Sequence, residues 1–297
     1  MLKILFFIFY LVILLVHISI YIYIYMNNLK IGIYANCQGT IGLKYYLTRL
    51  FPNCNIDCLM NYHYIKTKKK INYKNVKQYD IFIFQPLDEK HGIYSTSKNI
   101  KNSIINMLNK KCIKISFPYI YNDAFWTLTL REWDSKAVPN KESPHGIGIK
   151  GYHNSEIILN LLNIENKSKD DIKLLFLEQK INFNFKERFR KSIKILKEKE
   201  EICDIKITDY ILQNYKIKKL FLTKNHPTSC IFKVLIEQIL KILNIECSLD
   251  IFDFTNNNLC KLPGNQPNSE YEIKFFKFQY NVIIDNNYYL KIIDSII

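Results

Sequence analysis

The chain of 297 residues is long enough to bury a large hydrophobic core, as one large domain or two smaller ones. Its composition is 48% hydrophobic and 14% aromatic, which excludes a disordered protein and is typical of a globular one. The formal net charge of +15 arises from 42 Lys and Arg against 27 Asp and Glu. Such a balance favours anionic partners, for example nucleic acid, a membrane surface or a phosphorylated cofactor.

The lysine excess has a simpler interpretation than nucleic-acid binding. The chain is rich in Ile, Asn, Lys, Tyr and Phe, the residues that an A/T-rich coding sequence favours. Apart from the run Lys68-Lys69-Lys70, the lysines are scattered singly or in pairs, and no nucleic-acid-binding motif accompanies them. The sequence therefore does not favour nucleic acid as a partner.

The cysteines predict neither a disulfide framework nor a metal centre. None of the eight forms a C-x-x-C pair, and several lie within apolar runs, as small buried hydrophobes in a reducing compartment do. Cys54 and Cys58 have no matching His or Cys pair elsewhere in the chain. No metal cofactor is expected.

The first 26 residues form a hydrophobic segment with two possible interpretations. Residues 4–26 are long enough to span a bilayer, since about 20 apolar residues suffice, and no small-residue cleavage site follows them. The segment is either a membrane anchor, with flanking charges that favour a cytoplasmic catalytic domain, or a spurious extension upstream of a domain that starts near Met26. In both cases we expect one α/β domain over residues 27–297.

The first 120 residues predict a parallel sheet. Strands are predicted at residues 29–35, 55–60, 79–84 and 112–117, and helices at residues 40–50 and 97–108. The β-α-β order predicts a sheet covered by helices, a three-layer α/β fold of the SGNH or flavodoxin type. An irregular loop at 119–153 and a largely helical C-terminal half follow, with helices at 154–162, 170–180, 184–201, 204–214 and 230–243 and a strand at 218–222.

A polar turn follows the first predicted strand. Asn36, Cys37, Gln38 and Gly39 separate this strand from a predicted helix, whose N-terminus would direct backbone N–H groups at a ligand and favour a thiolate. A second polar loop starts at Gln85, after the third strand. Because ligands bind beyond the carboxyl ends of parallel strands, we expect both loops to contribute to one site.

Two short motifs stand far apart in the chain: Ala35-Asn36-Cys37-Gln38 after the first predicted strand, and Thr223-Lys224-Asn225-His226-Pro227 late in the sequence. In these motifs the sequence resembles the WcbI-type acetyltransferases of polysaccharide biosynthesis, a family that combines a Gly-Asn-Cys-Gln turn with a late Thr-x-Asn-His-Pro segment. The similarity covers about residues 29–245. Further similar stretches are Gln85-Pro86, Tyr94-Ser95-Thr96, Ser116-Phe117-Pro118-Tyr119 and the segment from Cys203-Asp204 to Asp209-Tyr210. One departure is Ala35, where the family has glycine.

The resemblance implies binding of coenzyme A or acetyl-CoA and transfer of acetyl to the hydroxyl of a carbohydrate. Cys37 would act as a nucleophile or lie beside the cofactor thiol, and His226 would be the general base. Asn36 and Gln38 carry amides suited to an oxyanion, although turn formation explains them equally well. The residues expected to bind the cofactor are Gly39, Gln85, Tyr94, Ser95, Thr96 and Asn225.

Two other classes of function remain open at this point. The strand–turn–helix with a late histidine also suits an SGNH-like esterase or deacetylase, but Cys37 stands where that class has serine. The basic charge suits a non-catalytic module that binds an anionic glycan or nucleic acid. Such a module would bind with a steep dependence on salt and would be indifferent to replacement of Cys37.

Overall fold

The computed structural model describes residues 29–131, 140–257 and 264–296. The predicted anchor or extension at residues 4–26 lies outside these ranges and stays a prediction. Within them, no helix combines the length and the apolar composition needed to cross a bilayer.

Four strands form one sheet in which every neighbouring pair is parallel, which confirms the predicted α/β fold. They are β1 (Lys30–Ala35), β2 (Asn55–Met60), β3 (Ile81–Phe84) and β4 (Ile113–Ser116), in the order β2-β1-β3-β4. The chain adds β2 on one side of β1 and β3 on the other. In doubly wound sheets of this order, the reversal between β1 and β3 opens the crevice in which ligands bind.

The sheet is buried on both faces, as the apolar strands predicted. Ile31, Ile33 and Ala35 alternate along β1 with Tyr34, and all four side chains are buried. Tyr34 packs with Phe82 and Tyr94 in one hydrophobic cluster. The opposite face carries the helix that follows β1, because a Cβ atom added at Gly39 would meet Ile33 and Ala35.

Gly39 is required where that helix starts. A Cβ atom at this position would lie 2.4 Å from the Cβ of Ala35 and 3.1 Å from the ring of Phe117. The helix therefore begins directly against the end of β1. Ala35 forms the surface on which Gly39 packs.

The helices of the described residues partly match the predicted ones. A π-helical segment (Gln38–Leu43) leads into α1 (Lys44–Leu50), and the segment predicted to be one helix at 184–201 forms a 16-residue helix. The remaining helices are α2 (Asn61–Thr67), α3 (Tyr73–Val76), α4 (Ile104–Met107), α5 (Ser155–Asn163), α6 (Lys169–Leu177), α7 (Phe185–Glu200), α8 (Thr208–Asn214), α9 (Ser229–Ile242), α10 (Glu270–Phe276) and α11 (Asn286–Asp294).

The predicted helix at 97–108 is wrong over its first half. Only α4 is helical there, and its N-cap is Ser103, whose side chain accepts a hydrogen bond from the backbone N–H of Asn106. Ser97 and Asn99 instead donate to the carboxylate of Glu89. Such polar side chains compete with helical hydrogen bonding and stabilise turns.

The helix predicted at 204–214 begins later than expected, and Asp204 lies outside it. The helix α8 starts only at Thr208, and the carboxylate of Asp204 accepts hydrogen bonds from the backbone N–H and the hydroxyl of Ser116, at 2.7 and 2.6 Å. Since Ser116 ends β4, Asp204 ties the segment after α7 to the edge of the sheet.

The described residues divide into two compact units. Unit 1 comprises residues 29–119, 199–207 and 229–257 and contains the parallel sheet. Unit 2 comprises residues 120–131, 140–198, 208–228 and 264–296 and is mostly helical, with two short pairs of antiparallel strands. The expectation of one domain over residues 27–297 stays a prediction.

Residues 120–131, from the segment predicted as an irregular loop at 119–153, contribute to the core of unit 2. Ile120, Phe125, Trp126 and Leu128 are buried, and the indole N–H of Trp126 donates to the carbonyl of Gln266. Farther on, β5 (Thr129–Leu130) pairs with β6 (Tyr152–His153). The described residues of this segment are therefore packed rather than irregular, because their aromatic side chains are buried in the core of unit 2.

Candidate functional site

Asn36 closes the turn after β1. Its carbonyl accepts from the backbone N–H groups of Gly39 and Thr40, at 3.1 and 3.0 Å. Its side-chain Oδ1 accepts from the N–H of Gln38 at 2.9 Å. These three N–H groups are thus engaged within the turn, in contrast to the expectation that they point at a ligand. Because Oδ1 is held by Gln38, the amide Nδ2 is the donor that Asn36 can offer to a substrate.

Gln85 connects the ends of three strands. Its Oε1 accepts from the backbone N–H of Asn36 at 2.9 Å, and its Nε2 donates to Oε1 of Gln38 at 2.9 Å and to the carbonyl of Pro118 at 3.5 Å. Gln85 follows β3, Asn36 follows β1 and Pro118 lies just after β4. Gln38 and Gln85 are both almost completely buried. The two amides therefore hold the conformation of the turn at the crevice between β1 and β3.

Cys37 is half-buried between these fixed residues, at the N-terminus of the π-helical segment. A residue that the sequence did not single out lies beside it. Ala35, the last residue of β1, pairs with Met60, the last residue of β2, so the two strands end side by side. Tyr62 follows β2 in the first turn of α2. Tyr62 is 50% exposed. Its phenol pKa is raised, first by partial burial and second by negative charge on Cys37. The signal in the sequence that could have pointed to Tyr62 is its position just after the strand predicted at 55–60.

Tyr94, Ser95 and Thr96 hold the loop after β3 together. Both hydroxyls, of Ser95 and Thr96, donate to the carbonyl of Leu87, at 3.0 and 3.2 Å. The backbone carbonyl of Tyr94 accepts from the hydroxyl of Tyr34 at 2.8 Å. The helix predicted to begin directly after Thr96 is absent there, since α4 starts only at Ile104. A role in binding the cofactor stays a prediction for these three residues.

His226 lies in unit 2, in a tight hairpin. The strand β7 (Phe221–Thr223) pairs antiparallel with β8 (His226–Pro227), so the strand expected at 218–222 does not join the parallel sheet. Lys224 and Asn225 form the two-residue connection, and the hydroxyl of Thr223 donates to Oδ1 of Asn225 at 3.3 Å. The imidazole is half-buried. Its position is therefore set by a short, fixed connection.

His153 shares unit 2 with several charged groups. The pKa of His153 is lowered to about 4, first by burial and then by the positive charge of Lys224. The negative charges of Asp123 and Glu156 partly oppose this decrease in the pKa, and the positive charge of Arg131 adds to it. At neutral pH this histidine is therefore uncharged.

The stability of the protein should consequently decrease in acid. The pKa of His153 in the folded chain lies below its ordinary value of 6.5, so the unfolded chain binds the proton more readily as the pH falls below that value. We expect the free energy of unfolding to fall by about 1 kcal/mol per pH unit between pH 6.5 and 4. Denaturant titrations at pH 7 and pH 5 should show a smaller decrease for His153→Gln. An equal decrease in both proteins would contradict this assignment.

A cluster of metal ligands or a surface groove could also mark a functional site. In the ranges that the structure covers, no three His, Cys, Asp or Glu side chains are grouped to hold a metal ion. A groove of about 700 Å³ runs along the last turns of α9, lined by residues such as Lys233, Glu237 and Cys247. None of the sequence-predicted site residues lines this groove.

A sequence profile of the family described as polysaccharide biosynthesis enzyme WcbI matches residues 30–248. The chain belongs to the WcbI family. A comparison with curated proteins found no match. The structure is similar to a solved structure of WcbI, described as a novel polysaccharide biosynthesis enzyme, with a TM-score of 0.65 and 18% identity over 90% of this chain and 89% of that chain. That structure is described as the native protein without a disulfide bond between coenzyme A and one of its cysteines.

Every predicted site residue of this WcbI-family protein lies within the matched range, from Asn36 to His226. The structure brings Asn36, Cys37, Gln38, Gly39 and Gln85 together at one edge of the sheet in unit 1. It places Asn225 and His226 in the hairpin of unit 2. The family assignment makes the chain an enzyme of polysaccharide biosynthesis.

Proposed function

We propose that this WcbI-family protein transfers acetyl from acetyl-CoA to a carbohydrate hydroxyl. The observation that carries the proposal is Cys37, a half-buried thiol in the turn after β1, whose two flanking residues, Asn36 and Gln38, are hydrogen-bonded to Gln85. The description of the similar WcbI structure, which names coenzyme A together with one of that protein's cysteines, supports the choice of coenzyme A. The family's link to polysaccharide biosynthesis supports a carbohydrate acceptor.

The residues of the turn fit a thioester co-substrate. Acetyl-CoA, when bound, would supply the acetyl group as an activated thioester, and free coenzyme A would leave as the thiol. Cys37 would lie beside the thioester, as a nucleophile or as part of the thiol pocket. Asn36, whose Oδ1 is occupied by Gln38, would offer Nδ2 to the carbonyl oxygen on which negative charge develops. Gln38 and Gln85 are buried and bonded to each other, which suits residues that position this turn.

His226 would remove the proton from the acceptor hydroxyl. A general base must titrate near neutrality, and histidine is the side chain that does so without perturbation. Its place in a two-residue hairpin limits its movement, which favours a defined direction for the imidazole. Asn225, whose side chain accepts from Thr223, stays a candidate contact to the cofactor.

The proposal is tested by calorimetric titration of acetyl-CoA into the full chain. We expect saturable binding with a micromolar dissociation constant, about −8 kcal/mol. Mass spectrometry should then show acetylation of at least one member of a panel of polysaccharide fragments. Cys37→Ala should abolish this product, whereas Cys54→Ala, at another half-buried cysteine, should not. Absence of binding by the folded protein would contradict the proposal, and acetate released from acetylated glycans without acetyl-CoA would indicate an esterase.

A further inference from the structure

A row of exposed side chains leads away from Cys37 along α2. Tyr62 lies in the first turn of this helix, and Lys66 lies one turn later on the same face. Lys68, Lys69 and Lys70 follow at the end of the helix, and all four lysines are exposed. The seven residues of α2 span about 10 Å, at a rise of about 1.5 Å per residue.

These lysines carry uncompensated positive charge. In the part of the chain that the structure describes, none of the four ammonium groups forms an ion pair with a carboxylate. By contrast, Lys173 of α6 pairs with two acids, Asp170 and Asp294. Four positive charges within five positions repel one another, so an anion bound among them would be stabilised.

The lysine run is held in place beside the predicted site. The carbonyl of Lys69 accepts from the hydroxyl of Tyr94 at 3.1 Å, and the carbonyl of Tyr94 accepts from Tyr34, near the end of β1. Lys68 adopts a left-handed conformation, with φ 55°, which is uncommon for a residue other than glycine or asparagine. The backbone of the run is therefore anchored to the same edge of the sheet as Cys37.

We propose that Lys66, Lys68, Lys69 and Lys70 bind the phosphates at the nucleotide end of coenzyme A. The inference rests on the proposed function and adds the place of the nucleotide to it. With the thiol end at Cys37, the flexible arm of coenzyme A is long enough to follow α2 past Tyr62 and to bring its phosphates to the lysines. Ammonium groups bind phosphates through charge-assisted hydrogen bonds, and several lysines can share one nucleotide.

The test compares three ligands that differ in their phosphates. Acetyl-CoA, acetyl-dephospho-CoA and phosphate-free acetyl-pantetheine are titrated into the full chain by calorimetry. The variant combines Lys66→Gln, Lys69→Gln and Lys70→Gln. Its matched control combines Lys77→Gln, Lys110→Gln and Lys111→Gln, which remove the same charge from exposed positions just before β3 and β4, at the opposite edge of the sheet.

We expect the variant to bind acetyl-CoA about 10–100-fold more weakly than the unmodified protein, since charge-assisted hydrogen bonds to its phosphates are lost. Binding of acetyl-pantetheine should not change, and the control should bind all three ligands normally. Lys68→Asn should weaken acetyl-CoA binding as well while keeping the fold, because asparagine adopts left-handed conformations readily.

The possible outcomes separate this inference from the proposed function. If the unmodified protein binds neither acetyl-CoA nor acetyl-pantetheine, both are wrong. If it binds acetyl-CoA and the lysine variant binds it equally tightly, only the phosphate site is wrong. Equal weakening of acetyl-pantetheine would also overturn the site. If the variant keeps its affinity for acetyl-CoA and loses affinity for a nucleotide sugar, the lysines bind the acceptor instead, and the inference is wrong.

Discussion

A His226→Gln variant is expected to bind acetyl-CoA normally and to lose about 10²–10⁴-fold in kcat, the usual contribution of a general base. Glutamine keeps a hydrogen-bonding side chain in the hairpin of β7 and β8 but cannot take up the proton of the acceptor hydroxyl. Steady-state rates across a pH series, together with calorimetry, measure both effects. In the unmodified protein kcat should fall as acid protonates the base, and this acidic limb should be absent in the variant.

The control for this prediction is His63→Gln, at an exposed histidine of α2. Its kcat should match that of the unmodified protein. A His226 variant with undiminished kcat would show that the base is another group. A variant that has lost its melting transition would show that His226 is needed for the hairpin, and the catalytic assignment would then need a different test.

Replacing Gln85 by leucine is expected to reduce the free energy of unfolding by about 2–6 kcal/mol, because the loss of one partner from a buried hydrogen bond costs about 1–3 kcal/mol and two such bonds are lost. The groups affected are the backbone N–H of Asn36 and Oε1 of Gln38, which Gln85 satisfies at 2.9 Å each. Denaturant titration measures the change. Gln78→Leu, at an exposed glutamine, should change stability by no more than about 0.5 kcal/mol.

A second variant, Gln85→Glu, tests the direction of the hydrogen bonds. The introduced carboxyl group can still accept from Asn36, but as a carboxylate it would place an oxygen against Oε1 of Gln38. Burial and this oxygen should raise the pKa of the introduced group, so its protonated form would restore a donor in acid. The stability of this variant, relative to the unmodified protein, should therefore recover as the pH falls. A deficit that is independent of pH would contradict the assigned orientation of the Gln85 amide.

The same variants should alter the thiol beside them. If Gln85 holds the turn, the rate at which iodoacetamide alkylates Cys37 should change in Gln85→Leu and stay unchanged in Gln78→Leu. Peptide mass spectrometry distinguishes Cys37 from the other cysteines. An unaltered rate in the Gln85 variant would show that the turn keeps its conformation without this side chain.

Local patterns in the sequence were sufficient to predict the sheet and the turn. The strand predicted at 55–60 has the same bounds as β2, and the three other strands differ by one or two residues at either end. An apolar run bounded by polar residues has few alternatives to a buried parallel strand, and the carboxyl ends of such strands meet at one edge. For that reason the sequence predicted that Asn36 and Gln85 lie close together, and in the structure a hydrogen bond joins them.

Predictions failed where side chains distant in sequence decide the local structure. The turns at 97–103 depend on Glu89, and the role of Asp204 depends on Ser116, 88 positions earlier. The strand at 221–223 pairs with its own continuation, because the connection at Lys224 and Asn225 is only two residues long. The spacing of apolar residues within those segments does not reveal which residues elsewhere in the chain they pair with.

The sequence by itself determined the fold class and the family, because these depend on short patterns and on residue types. It gave the site residues as a prediction. Only the tertiary structure separated the residues that can face a substrate from those that support them. Gln38 and Gln85 look like any polar loop residues in the sequence, yet both are buried and bonded to each other, whereas Cys37 remains half-exposed. Burial and pairing arise from contacts between strand ends that are 47 residues apart, and such contacts exist only once the sheet has formed.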